Sequence, residues 1–129
     1  MGLDITFYKE SKLDPRYDKE VDYFRKVNFL LKYFNADKDE DNCRKVYITK
    51  EMLEQLVTDT NAEIIHHNLD IDGDTPMNEK LQTTEVFFGG CTEYDECYWN
   101  DIEYVRDWAN ETLKDIDWDK DNFFMVAWW

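Results

Sequence analysis

Residues 85–116 read EVFFGGCTEYDECYWNDIEYVRDWANETLKDI, and this stretch decides the fold. Val86-Phe87-Phe88 is a short apolar run of strand type, and Gly89-Gly90 breaks it. From Thr92 onward Tyr94, Tyr98, Ile102, Val105, Ala109, Leu113 and Ile116 recur at three- and four-residue steps, the continuous apolar stripe of an amphipathic helix. Thr92-Glu93-Tyr94-Asp95 has the form of a capping box with the shorter Asp95 at its end, so the helix is expected to start near Thr92. Trp99 and Trp108 fall off the main stripe, which leaves them available either as exposed anchors or as packing under the preceding loop.

The rest of the chain reads outward from this helix. Leu3, Ile5 and Phe7 alternate with polar neighbours as in a half-buried strand, and residues 10–16 form a polar connector ending at Pro15. Val21, Phe24, Val27, Leu31 and Phe34 repeat at helical spacing, so a helix is expected from about Asp18. The charged run 35–41 follows as an exposed loop. Val46-Tyr47-Ile48 is a short extended piece, and Thr49 is suited to cap a helix from Lys50 to about Thr60. Residues 61–82 lack a clear period and read as a long loop. Residues 122–129, aromatic and apolar, read as a closing strand beside the N-terminal one. The expectation is one compact α+β domain with a small antiparallel sheet and about three helices.

Composition narrows the function. The 129 residues are 43% hydrophobic and 16% aromatic, far too apolar for a disordered acidic tail. The net charge is −15, which disfavours direct binding to nucleic acid or an anionic membrane and favours basic partners. That charge is unevenly placed: residues 1–50 carry 11 Lys/Arg against 10 Asp/Glu, whereas residues 51–129 carry 4 against 20. Cys43, Cys91 and Cys97 cannot all pair within one chain, and no secretory or membrane-spanning segment is apparent, so a reduced, cytoplasmic setting is expected.

Three blocks resemble a group of small, uncharacterised phage and prophage proteins: Met1-Gly2-Leu3-Asp4, Tyr23-Phe24-Arg25-Lys26-Val27-Asn28, and residues 87–95 (FFGGCTEYD). The resemblance spans most of the chain and implies a phage origin and one domain, without implying a chemistry. The group often has His where Leu31 stands, Leu-Pro where Leu81-Gln82 stands, and Ser-Ser-Trp where Ala127-Trp128-Trp129 stands.

No acid, base and nucleophile set assembles from the sequence, so no catalytic residues are assigned and no cofactor is expected. Gly89-Gly90 lacks the Lys-Ser/Thr of a phosphate loop, and His66-His67 with the cysteines lacks the spacing of a structural zinc site. Asn68, Asp70, Asp72, Gly73, Asp74 and Glu79 fall at positions one, three, five, six, seven and twelve of an EF-hand-like loop. Asn at position one, Thr75 at position eight, Pro76 and the lack of an entering helix make this a weak calcium candidate.

The last helix carries the strongest signal. Glu96, Glu103, Asp107, Glu111 and Asp115 lie in or near one row, the last four about 6 Å apart along the axis, a spacing of the same order as that of backbone phosphates. Asp101, Asp117 and Asp119 would rim this row, and Trp99 would anchor it. The sequence thus points to an acidic, phage-type inhibitor of a basic host protein, a nucleic-acid-handling machine or a defence nuclease such as a CRISPR effector, acting by nucleic-acid mimicry or steric block. A calcium- or ligand-binding module and a phage morphogenesis or regulatory partner protein are the competing expectations.

Overall fold

The computed structural model describes residues 2–69, 74–83 and 93–129; the expected apolar run at residues 86–88 and the glycine break at 89–90 lie outside them. Four strands, β1 (Asp4–Ser11), β2 (Asp18–Arg25), β3 (Lys45–Ile48) and β4 (Asp121–Trp128), form one antiparallel sheet in the order β2-β1-β4-β3. Helices α1 (Phe29–Tyr33), α2 (Lys50–Asn68) and α3 (Glu96–Asp115) complete the α+β architecture. Both terminal strands behave as expected. Ile5 pairs with Ala127 and Phe7 with Met125, and all four side chains are buried.

The register sorts the sheet into two faces. Ile5, Phe7, Phe24, Phe123 and Met125 are buried in the main core. Phe7 packs against the Trp108 ring of α3 at 4.5 Å and stacks on Phe123 at 5.5 Å, while Trp108 meets Phe24 edge-on at 5.0 Å. The other face carries its own small cluster. Phe124 stacks on Tyr8 at 5.1 Å with the Lys45 ammonium 4.6 Å over its ring. Glu10 accepts hydrogen bonds there from the Tyr47 hydroxyl at 2.8 Å and Lys45 Nζ at 3.3 Å. Burial pushes the Glu10 carboxyl up, but these donors outweigh it and hold the group below its ordinary range.

Residues 18–34 correct the expectation of a single helix. They form strand β2 and the five-residue α1, joined through Lys26 and its left-handed φ of 63°. The apolar set is right, since Phe24, Val27, Leu31 and Phe34 are all buried, but the backbone is extended up to Arg25. The cause lies upstream. Asp14 Oδ1 accepts from the Arg16 N–H at 3.1 Å and the Asp14 carbonyl from the Tyr17 N–H at 3.0 Å. This Asx-type turn sends the chain back along β1.

Residues 61–82 are corrected as well. Helix α2 is capped as expected by Thr49, whose hydroxyl accepts from the Met52 N–H, but it continues past Thr60 to Asn68. The Thr60 hydroxyl turns back on the Leu56 carbonyl at 2.7 Å. Glu63, only 6% exposed, accepts from the Met77 and Asn78 backbone N–H groups at 3.0 and 2.8 Å. Its carboxylate thereby fixes the segment leading to a 3-10 turn at Glu79–Leu81, and the Tyr98 hydroxyl of α3 donates to the Leu81 carbonyl. Leu31, Leu81 and Ala127 are core positions.

Cys97 is disulfide-bonded and Cys43 is an exposed free thiol, against the reduced setting expected from the sequence. Among the described residues no helix is long and apolar enough to cross a membrane.

The buried Glu63 carboxylate makes a prediction. Glu63→Ala takes the acceptor from the part-buried Met77 and Asn78 backbone N–H groups, and the loss should be about 1 to 3 kcal/mol, read as a lowered urea midpoint with an unchanged slope. Glu63→Gln, which keeps one acceptor, should lose about half as much.

Candidate functional site: the acidic face of α3

Helix α3 starts at Glu96, a turn later than expected. Asp95 is its N-cap, accepting from the Cys97 and Tyr98 N–H groups at 3.1 and 3.4 Å; Thr92 lies outside the described residues. At about 100° per residue, the buried side chains Tyr98, Ile102, Val105, Ala109 and Thr112 cover one side of the helix. Trp99 and Trp108 sit about 90° to either side of that stripe's centre. They close the two edges of the buried face, and each is only 8% exposed.

This corrects the role expected of Trp99. Its ring stacks on His67 of α2 with centroids 3.9 Å apart and planes 10° from parallel, so it fastens α3 to α2 and is not an exposed anchor. The exposed aromatic beside the acidic row is Tyr104, 59% exposed and edge-on to Phe24 at 5.5 Å. Its place on the polar side of the same helical wheel was the available sequence signal.

The row itself is brought together as expected. Glu96, Glu103, Asp107, Glu111 and Asp115 are all exposed, on the side of α3 opposite its buried stripe. Two cations lie against it. Arg106 Nε is 3.0 Å from Asp107 and Lys114 Nζ is 3.7 Å from Glu111. Both carboxylates remain about 70% exposed, and solvated pairs of this kind contribute at most about 1 kcal/mol. The row therefore stays strongly negative.

The rim residues diverge. Asp101 is half-buried rather than a fully exposed rim charge, and burial raises its carboxyl above the ordinary range. Asp117 shapes the turn into β4: its carbonyl accepts from the Lys120 and Asp121 N–H groups, and its Oδ1 accepts from the Asp119 N–H at 3.2 Å. Asp119 is exposed at that same turn, beyond the helix end.

The calcium candidate is only partly visible. Asn68 is the last residue of α2, so a helix does enter the loop, contrary to expectation. Asp74 lies 3.7 Å from His67 Nδ1, and Glu79 opens the 3-10 turn. Asp70, Asp72 and Gly73 lie outside the described residues. Among the described residues no group of three or more His, Cys, Asp or Glu side chains is placed to hold a metal ion.

Like charges at four-residue spacing each cost a helix about 0.2 to 0.5 kcal/mol. The double substitution Asp107→Asn/Glu111→Gln removes the repulsion between Glu103, Asp107, Glu111 and Asp115. It should raise stability by up to about 1 kcal/mol, seen as a higher thermal midpoint with unchanged circular dichroism. A lower midpoint would mean that the row serves folding.

The chain has no match among protein-family models, curated proteins or solved structures.

Proposed function

We propose that this chain is a non-enzymatic, phage-type inhibitor that binds a basic, nucleic-acid-binding surface of a host protein. The observation that supports this most is the exposed row Glu103, Asp107, Glu111 and Asp115 on a helix whose opposite side is wholly committed to the core. A rigid helix bearing carboxylates about 6 Å apart offers a Lys/Arg-lined groove the charge pattern of a nucleic-acid backbone. No reorganisation of α3 is needed, which limits the ordering cost of binding. Tyr104 adds an amphipathic contact of the kind enriched at interface hot spots.

Targets of this chemistry are nucleic-acid-handling machines and defence nucleases, CRISPR effectors among them. They work in the bacterial cytoplasm. The half-cystine at Cys97 weighs against that compartment, since disulfides are rare there; it lies at the helix start, away from the Glu103–Asp115 row. The −15 net charge adds long-range steering toward a basic target, so association should slow as salt rises.

The test is a charge reversal that spares the core. A Glu103→Lys/Asp107→Lys/Glu111→Lys/Asp115→Lys variant changes only exposed side chains and should fold. It should lose inhibition of the target by at least a hundredfold, each reversed contact costing about 1 kcal/mol or more. Full inhibition by the folded variant would remove the acidic row from the mechanism.

A further inference from the structure

The sheet face turned away from α3 is rich in aromatic surface. Register sets Tyr23, Val126 and Lys45 in one row across it and Tyr8, Phe124 and Tyr47 in the next, with Trp128 at one end. Tyr23, Tyr47 and Trp128 are 45%, 50% and 37% exposed. The polar groups among them already have partners within the face. The Tyr23 hydroxyl donates to Asp4, and Glu10 accepts from both the Tyr47 hydroxyl and the Lys45 ammonium. The middle of this face therefore offers a partner ring and aliphatic carbon, and contiguous surface of that kind marks an interaction site.

The charges at its edge identify the occupant. Strand β2 carries Asp18 and Glu20 at its start and Arg25 at its end, all exposed and all on this face. A basic partner would conflict with Arg25 and Lys45, and an acidic one with Asp18 and Glu20. A strand negative at one end and positive at the other is complementary to its own reversed copy, which is the condition for an isologous two-fold contact. The edge of β2 is guarded against an added strand. Its register slips between Phe7 and Tyr8, and the Asp22 carboxylate accepts from the Tyr23 N–H at 2.8 Å, both of them devices that spoil an edge for pairing. A second copy must therefore approach face on.

We propose that this face is the interface of a weak homodimer, in which two copies pack sheet on sheet about a two-fold axis crossing the strands. Arg25 of one copy then lies over Asp18 and Glu20 of the other, twice over, and Val126 and the rings of Tyr8, Tyr23 and Trp128 fill the space between. At about 4.8 Å between strands and about 3.3 Å per residue the four strands cover about 450 Å². Two such faces remove about 1,000 Å² from water, the lower bound of a specific interface, which suits a dimer that dissociates on dilution. The net charge of −15 per copy does not oppose this approach strongly, because the acidic row of α3 lies on the side of the molecule away from the contact. Both rows stay exposed in the dimer, so this inference stands whatever α3 binds.

The experiment is sedimentation equilibrium of the full chain from micromolar to millimolar concentration, with circular dichroism to show that each variant is folded. The chain should pass reversibly from monomer to dimer over this range. Cys43→Ser should dimerise equally well, which separates this contact from a link through the exposed thiol. Trp128→Lys, which sets a cation on the apolar face, should weaken the dimer at least about thirtyfold. Arg25→Asp, which brings like charges together, should weaken it about tenfold. The swap Asp18→Arg/Arg25→Asp should restore it to within about threefold, because each reversed charge again meets its opposite on the other copy. A monomer at every concentration overturns the proposal. So does a dimer indifferent to Trp128→Lys and Arg25→Asp, which would use another face, and so does a swap no better than Arg25→Asp alone.

Discussion

The packing of the Trp108 indole against Phe7, Phe24 and Phe123 is the interaction on which the rest of the molecule depends. It sets the rotation of α3 about its own axis. With Trp108 closing one edge of the buried face and Trp99, stacked on His67, closing the other, the helix has one side left for solvent. That side carries Glu96, Glu103, Asp107, Glu111 and Asp115. The acidic surface is thus a direct consequence of how the aromatic edges seat the helix. Rolling α3 by a quarter turn would expose one Trp and drive carboxylates toward the core, at a cost comparable with the stability of a small domain.

Much of this was legible in the sequence where a single period dominates. The alternation of Leu3, Ile5 and Phe7, the closing strand and the stripe of α3 each fit one template and no other. Residues 18–34 fit two. Val21, Phe24, Val27, Leu31 and Phe34 satisfy a helical period, yet Val21, Tyr23 and Phe24 are also β-branched or aromatic residues suited to a strand. The hydrogen-bonded turn at Asp14–Tyr17 decided the matter through pairing with β1, a tertiary effect that no local window contains. The extension of α2 was hidden for a similar reason. Its later turns are polar because Glu63 has distant partners, the Met77 and Asn78 amides, and a buried carboxylate looks exposed until those partners are known.

The candidate site shows the same division. Which carboxylates share a face follows from helix geometry alone, so the row was readable. The burial of Trp99 was not, because a Trp at the edge of a stripe becomes core only when a second element lies beside it, and α2 was expected to have ended before His67. Asp101 and Asp117 differ for local reasons, one drawn partly out of water by its position on the wheel and the other used by the backbone of a turn. The sheet's second face, with Tyr23, Tyr47 and Trp128 exposed, could not be assigned a side until the register of β1, β2, β3 and β4 was known.

In the proposed function the exposed carboxylates of α3 compete for a surface built for nucleic acid. The most direct measurement is the dissociation constant for a partner captured from a bacterial lysate, determined across a salt series with and without double-stranded DNA. Competition for a nucleic-acid site should give a log–log salt slope of several units and displacement of the protein by DNA in proportion to the DNA's own affinity. A salt-insensitive constant, unchanged by saturating DNA, would contradict it.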